Sequence, residues 1–152
     1  MYENMEKKYA FVQATPLRHY TAGAFIVRCF DDRFRPVFEK FIKTRGLKRA
    51  DLESIAGGAK IFASPERKSD REFMIRELEK SIRLHHAKRV ILFTHYDCGA
   101  YGGLARFSGD EEKQFAFHAA EHKKAKGTVK ARFPNVKVEG YFMDRGGIVK
   151  TD

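Results

Sequence analysis

The sequence predicts an α/β domain with a mainly parallel, open sheet, in which four parallel strands and one antiparallel edge strand are flanked by helices. Two short apolar segments, residues 24–30 and 89–95, are typical of strands buried on both faces of a parallel sheet. Helix-like segments alternate with these strand-like segments, as crossover connections between parallel strands require. A chain of 152 residues without internal repeats indicates one domain, residues 1–152.

Between the two apolar strands, the sequence first predicts a helix and a short strand. Residues 35–46 carry apolar side chains at helical spacing, and Gly46 is a natural C-cap. Residues 51–62 predict a short strand that ends at Gly57 and Gly58 and is followed by a turn or a short helix.

Two longer helices and two strands complete the predicted order. Ser69 and Glu72 form a capping box at the start of one helix. Asp110 is the expected N-cap of the other helix, and Gly127 is its expected end. Residues 136–144 alternate as a strand does, and the glycines that follow lead into a short antiparallel edge strand.

The distribution of charged residues is typical of a solvated surface and is weak evidence for a charged binding partner. The formal net charge is +10 and the pI is about 9.7, but acidic residues are interspersed with the basic ones. This favours a solvated surface over a nucleic-acid-binding face, whose affinity would depend strongly on salt. No segment reaches the ~20 apolar residues of a membrane span or resembles a signal peptide, so we expect a cytoplasmic protein without membrane association.

Three soft side chains lie near the carboxyl ends of the two apolar strands. Cys29 ends the first strand, His95 ends the second, and Cys98 follows His95 by three positions. Open α/β sheets bind ligands at this edge. Two thiolates and one imidazole suit zinc and leave a fourth position free, which is the catalytic arrangement. Buried inert thiols and a redox pair are the alternatives.

A carboxylate and a guanidinium follow the first cysteine at alternate positions. Asp31 and Arg33 project to the same side as Cys29 along an extended chain. The planar fork of Arg33 can bind Asp31, keep it ionised and orient its free oxygen toward a metal. The alternative is an ordinary surface ion pair, which contributes little to stability.

Together these two motifs resemble those of the β-class carbonic anhydrases. The family carries CxDxR after its first core strand, as in Cys29 to Arg33, and HxxCG after a later strand, as in His95 to Gly99. Residues 54–60 are similar to a further glycine-containing segment of the family. The resemblance covers most of the chain from about residue 22 and implies a β-carbonic-anhydrase-like fold.

The resemblance implies a zinc lyase that reversibly hydrates CO₂ to bicarbonate, with the Asp–Arg dyad orienting the hydroxide. In some members of the family, the aspartate instead becomes a fourth zinc ligand. The resemblance also implies a homodimer or higher homo-oligomer. Residues 1–21, which the resemblance does not cover, are expected to form an N-terminal arm or helix that can exchange between subunits. The implied site residues are the zinc ligands Cys29, His95 and Cys98, the catalytic residues Asp31 and Arg33, and the substrate-binding residues Gly57, Gly58 and Gly99.

The sequence also departs from the family pattern. Asp32 stands where the family has a serine, and it would repel bicarbonate unless it points outward. Ser54 and Ile55 replace an arginine and an asparagine, and a substrate-positioning glutamine expected before Cys29 is absent. Two alternatives therefore stay open: a zinc-dependent hydrolase of carbonyl sulfide or carbon disulfide, and a catalytically silent zinc protein of the same fold.

The remaining histidines and the neighbours of the motifs have weaker interpretations. His118 and His122 share one helix face, which we expect to be solvated, with proton transfer from the site as a further hypothesis. Tyr96, Asp97 and Tyr101 flank the predicted ligands. We expect them either to pack as ordinary neighbours or to form part of the pocket wall.

Overall fold

The computed structural model describes residues 6–152 and contains one five-stranded sheet. The strands are β1 (Phe25–Arg28), β2 (Asp51–Ser54), β3 (Arg89–His95), β4 (Lys137–Met143) and β5 (Ile148–Lys150). Their order in the sheet is β2-β1-β3-β4-β5. The first four strands are parallel, and β5 is antiparallel to β4. The predicted fold class is confirmed.

Helices cover both faces of the sheet because alternate strand residues point to opposite sides. On one face, Ile26 and Phe93 pack with Phe38 of the first helix. On the other face, Val27 and Leu92 pack with side chains of the remaining helices. The helices are α1 (Arg35–Thr44), α2 (Lys60–Ala63), α3 (Lys68–His85) and α4 (Glu111–Arg132).

The connection after α1 follows the prediction, whereas the one after β2 does not. Gly46 has φ +67° just beyond α1, and its N–H donates to the Lys43 carbonyl at 3.1 Å, as a C-cap does. The prediction that β2 ends at Gly57 and Gly58 is wrong, because the strand ends at Ser54. Gly57 and Gly58 have φ +81° and +54°, which a strand cannot contain.

The start of α3 also differs from the prediction. The helix begins at Lys68 with Arg67 at the N-cap, so Ser69 lies inside the first turn. Among the described residues, no side chain caps this end. The predicted capping box of Ser69 and Glu72 is therefore wrong.

The long helix α4 begins where expected and ends later. The Asp110 carboxylate accepts a hydrogen bond from the Lys113 N–H at 3.0 Å, which confirms the N-cap. The predicted end at Gly127 is wrong, because the helix continues to Arg132. Val129, beyond the glycine, is fully buried in the core. Burying a valine contributes about 1.5 kcal/mol, which offsets the ~1 kcal/mol that a helical glycine costs.

The predicted N-terminal arm is only partly within the described residues. Positions 1–5 lie outside them, and positions 6–21 form neither helix nor strand. Four large apolar side chains of this segment are 73–90% exposed: Tyr9, Phe11, Val12 and Leu17. Among residues 6–152, no helix combines the length and apolar character needed to cross a membrane.

Candidate metal centre

Two adjacent strands bring the three predicted ligands together. β1 and β3 are parallel neighbours, so their carboxyl ends meet at one edge of the sheet. Cys29 directly follows β1, His95 is the last residue of β3, and Cys98 lies in the loop beyond it. One ligand atom from each residue lies within 4.8 Å of the others, and all three residues are buried. This cluster is able to hold a metal ion.

The hydrogen bonding of His95 leaves one ring nitrogen available to a metal. Its Nδ1 lies 2.7 Å from the carbonyl oxygen of Tyr96, which can only accept, so Nδ1 carries the proton. The Nε2 atom is buried and has no hydrogen-bond partner within residues 6–152. Phe34 packs against the imidazole, with the ring centres 4.6 Å apart. An orphaned, oriented imidazole nitrogen beside two thiols is what a metal site requires.

The two thiols are coupled to each other. The neighbouring Cys98 thiol lowers the pKa of Cys29, and contacts with His95 and the Gly57 N–H act in the same direction. The neighbouring Cys29 sulfur and burial correspondingly raise the pKa of Cys98. The Gly57 N–H donates to Cys29 Sγ at 3.4 Å. The site therefore favours one thiolate even before a cation binds.

The predicted substrate-binding glycines have different surroundings. A Cβ atom on Gly58 would lie 2.2 Å from the Phe93 carbonyl oxygen and 2.8 Å from the Cys29 nitrogen, so only glycine fits there. Gly57 contacts the Cys29 thiol directly. Gly99 is exposed, and no described atom lies within 4 Å of the position that a Cβ atom would occupy there. The contact of these glycines with substrate stays a prediction.

Asp31 and Arg33 form a close ion pair at the edge of the cluster. Arg33 Nη2 donates to Asp31 Oδ2 at 2.6 Å, and Nε donates to Oδ1 at 3.0 Å. These hydrogen bonds lower the pKa of Asp31 to about 2. Asp31 Oδ2 also lies 3.8 Å from His95 Nε2. An ionised carboxylate is thus held next to the three ligand atoms.

The additional carboxylate of Asp32 points away from the cluster. Its side chain is 79% exposed and accepts a hydrogen bond from Arg35 Nε at 2.6 Å. Because this charge faces solvent and is paired, its repulsion of an anion near Asp31 is screened.

Tyr101 forms part of the wall around the two cysteines. Its side chain is buried against Cys29 and Cys98. Its hydroxyl donates to the buried carboxylate of Glu121 at 2.9 Å, and Ser64 donates to the same oxygen at 2.5 Å. The sequence interpretation missed Glu121, although its helical spacing from Ala125 indicates the buried face of α4.

The prediction that His118 and His122 lie on a solvated face is wrong. Both side chains are buried. His122 Nε2 lies 2.9 Å from Thr94 Oγ1, and His122 Nδ1 lies 2.7 Å from Thr151 Oγ1. Burial lowers the pKa of His118 to about 3 and that of His122 to about 4. A proton-transfer group works best when its pKa lies near the operating pH. The pKa values of both histidines are far below neutral pH, so they do not favour the proton-transfer hypothesis.

Solved structures with the same fold include a β-carbonic anhydrase and a second carbonic anhydrase. Carbonic anhydrase isoform I from Trichomonas vaginalis superposes with a TM-score of 0.58 at 17% identity, over 91% of this chain and 87% of that one. The carbonic anhydrase from Streptococcus mutans gives a TM-score of 0.54 at 18% identity, over 93% and 88% of the two chains. At these identities the likeness establishes the fold.

The sequence comparisons establish the family. An uncharacterized protein of Rickettsia conorii is 28% identical over 132 residues, which are 85% of this chain and 71% of that protein. An uncharacterized protein of Rickettsia bellii is 28% identical over 134 residues, or 85% and 80% of the two proteins. The family model described as "Putative carbonic anhydrase" matches residues 21–151. The chain therefore belongs to this carbonic anhydrase family.

Proposed function

We propose that this protein is a zinc-dependent carbonic anhydrase that interconverts CO₂ and bicarbonate. The observation that carries the proposal is the meeting of Cys29, His95 and Cys98 within 4.8 Å, with the His95 Nε2 atom buried and unpartnered among the described residues. Two cysteines and one histidine are a known catalytic zinc set, and they leave one position of a tetrahedron open. When bound, zinc supplies Lewis acidity that can lower the pKa of water to about 7.

The residues around the cluster would orient the reaction. Asp31 is ionised at neutral pH, and Arg33 lowers its pKa further, to about 2, so its carboxylate can accept a hydrogen bond from the oxygen nucleophile. Arg33 fixes the direction of that carboxylate through two donors. Phe34 and Tyr101 supply buried apolar walls that suit a small neutral substrate such as CO₂.

Metal analysis followed by stopped-flow kinetics tests the proposal. The purified protein should contain about one zinc per chain, and CO₂ hydration should exceed the buffer blank between about pH 7 and 9. The Asp31→Asn variant should keep zinc and lose most of the rate. The Asp32→Asn variant, which removes an exposed carboxylate next to it, should retain the rate. A fully zinc-loaded protein without measurable hydration at any pH rejects the enzyme assignment.

The same zinc-loaded protein distinguishes the two alternatives. Turnover of carbonyl sulfide or carbon disulfide without CO₂ hydration identifies a hydrolase of CO₂ analogues. Zinc binding without turnover of any of the three substrates identifies a catalytically silent member of the family.

We further propose a homodimer or higher homo-oligomer, with the exposed N-terminal segment exchanged between subunits. The apolar side chains of that segment are unusually exposed, and the edge strand β2 presents Leu52 half exposed. Light scattering of the full chain and of a variant lacking residues 1–17 tests this, because only the full chain should associate. A cytoplasmic location stays a prediction from the sequence.

A further inference from the structure

Arg33 has a second carboxylate partner in the loop between the predicted metal ligands. Arg33 Nη1 lies 3.3 Å from Asp97 Oδ2, and Arg33 Nη2 donates to the Asp97 carbonyl oxygen at 3.3 Å. Asp97 lies between His95 and Cys98 in the sequence. A single guanidinium therefore connects the end of β1 to the loop after β3.

The two carboxylates use different donors of this guanidinium. Asp31 accepts from Nε and Nη2, whereas the Asp97 carboxylate accepts from Nη1. An arginine side chain has five N–H donors in a fixed plane, so Asp97 does not displace Asp31. The contacts of Arg33 with Asp31 are the shorter ones. The contact with Asp97 restricts the movement of Nη1, at the other end of the guanidinium.

Asp97 is itself held in place by two hydrogen bonds besides its contacts with Arg33. Its N–H donates to the buried amide oxygen of Gln114 at 2.7 Å, and its Oδ1 accepts from the Leu104 N–H at 2.9 Å. Its backbone has φ +54°, which aspartate tolerates better than most residues. The backbone of Gly103 also lies close to this side chain, because a Cβ atom there would be only 2.8 Å from Asp97 Oδ1. Such a fixed anchor differs from a mobile surface ion pair.

The position of Asp31 explains why Arg33 needs a fixed anchor. Asp31 Oδ2 lies 3.8 Å from His95 Nε2, so a small rotation would bring the carboxylate among the ligand atoms. A divalent cation there would attract it strongly. The Arg33 side chain is 58% exposed, so its packing alone restrains it poorly.

We propose that Asp97 is a positioning residue that locks Arg33 onto Asp31 and so keeps this carboxylate out of the metal's coordination sphere. The proposal rests on the proposed function for its catalytic consequence. Its structural content concerns only Asp31, Arg33 and Asp97. Loss of the Asp97 carboxylate should remove the contact with Arg33 Nη1, loosen the guanidinium, let Asp31 move to the metal and close the fourth position.

The Asp97→Asn variant tests this, because asparagine keeps the shape, accepts the Leu104 N–H and tolerates the positive φ. Glu112→Gln is the matched control, since Glu112 is an exposed carboxylate on α4. In the metal-free proteins, NMR of the arginine side-chain N–H groups should show faster rotation of the Arg33 guanidinium in Asp97→Asn alone. In the cobalt(II)-loaded proteins, the visible absorption spectrum should change in Asp97→Asn, and an added Asp31→Asn substitution should reverse the change.

The kinetic consequence is a decrease in kcat/KM of about tenfold for Asp97→Asn, with zinc content and fold unchanged. A cobalt spectrum that matches wild type in Asp97→Asn overturns the proposal, whether or not the Arg33 resonances move. A spectral change that Asp31→Asn does not reverse also overturns it. If the spectra behave as expected but wild type hydrates no CO₂, the positioning role stands and the proposed function fails.

Discussion

Arg33 Nε and Nη2 donate to the two carboxylate oxygens of Asp31, at 3.0 and 2.6 Å. This contact requires a planar fork, because one donor meets each oxygen. It joins two residues separated by one position in the chain and holds Asp31 Oδ2 at 3.8 Å from His95 Nε2. The pair therefore depends on arginine rather than on positive charge alone.

We expect the Arg33→Lys substitution to reduce kcat/KM by about 10- to 100-fold with little loss of zinc. A lysine ammonium can contact only one oxygen firmly, so Asp31 would rotate. Stopped-flow CO₂ hydration with parallel metal analysis measures both effects. The control is Arg35→Lys, which alters an exposed ion pair with Asp32 and should leave the rate near wild type. Equal rates for the two variants contradict the role of the fork.

The meeting of the three candidate ligands could be predicted because two of them follow from strand order and Cys98 lies three positions after His95. Cys29 and His95 end the two most apolar segments, and adjacent parallel strands bring their carboxyl ends together. The contact of Arg33 with Asp97 could not be predicted in this way. It spans 64 positions and depends on the left-handed turn at Asp97, which no apolar pattern encodes.

The helices show a second limit of sequence patterns. Gly127 predicts the end of α4, but the burial of Val129 extends the helix beyond it. Because His118 and His122 are polar, their spacing suggested a solvated face. In the structure, this face packs on the sheet, where hydrogen bonds with Thr94 and Thr151 satisfy both ring nitrogens of His122. Tertiary packing therefore overrides residue preference here.

Replacing Cys98 with serine should weaken zinc binding by more than about 100-fold. Even the loss of a residue that only hydrogen-bonds to a metal ligand lowers metal affinity by about 10- to 100-fold. Serine preserves the volume of the side chain and removes the soft ligand. Zinc binding is coupled to folding, so the melting temperature should also fall. A chelator should lower the melting temperature of wild type and leave that of Cys98→Ser unchanged. Full zinc occupancy in the variant contradicts the ligand assignment.

His122 should make stability fall in mild acid. Burial lowers its pKa to about 4 in the folded state, against about 6.5 when unfolded. Between these pH values the unfolded chain binds a proton that the folded protein does not, so the free energy of unfolding decreases as pH falls. One such group contributes roughly 1.4 kcal/mol per pH unit. Urea unfolding at several pH values should give a shallower dependence for His122→Gln, and an unchanged slope contradicts the prediction.

The buried carboxylate of Glu139 should depend strongly on Arg89, which donates to its two oxygens at 3.0 and 3.2 Å. Burial raises the pKa of Glu139, but hydrogen bonds from Arg89 and Tyr141 outweigh it and lower the pKa to about 2. At neutral pH, Arg89→Met should lower the free energy of unfolding by about 2 to 4 kcal/mol, because a charge stays buried with fewer partners.

The same ion pair predicts a pH dependence. A carboxylate with a lowered folded-state pKa stabilises the protein above its unfolded pKa of about 4.3, and this contribution is lost as pH falls toward 2. The difference in free energy of unfolding between wild type and Arg89→Met should therefore become smaller as the pH falls. Arg132→Met is the control, since the half-exposed pair with Glu72 at 3.5 Å should contribute under about 1 kcal/mol. Equal effects of the two substitutions at neutral pH are inconsistent with a special role for Glu139.

Gly58 should be the glycine least tolerant of alanine in the chain segment around the cluster. Its new Cβ atom would meet backbone atoms of Phe93 and Cys29, at 2.2 and 2.8 Å, and a shift of either backbone would move Cys29 or His95, two of the candidate ligands. Gly109 offers a matched control, because it also has positive φ, +78°, but no described atom lies within 4 Å of its Cβ position. Gly109→Ala should cost only the strain of the left-handed backbone, about 1 to 2 kcal/mol. Gly58→Ala should lower the free energy of unfolding by more than that and also reduce zinc content. Similar melting temperatures and zinc contents for the two variants mean that the close approach at Gly58 does not position Cys29.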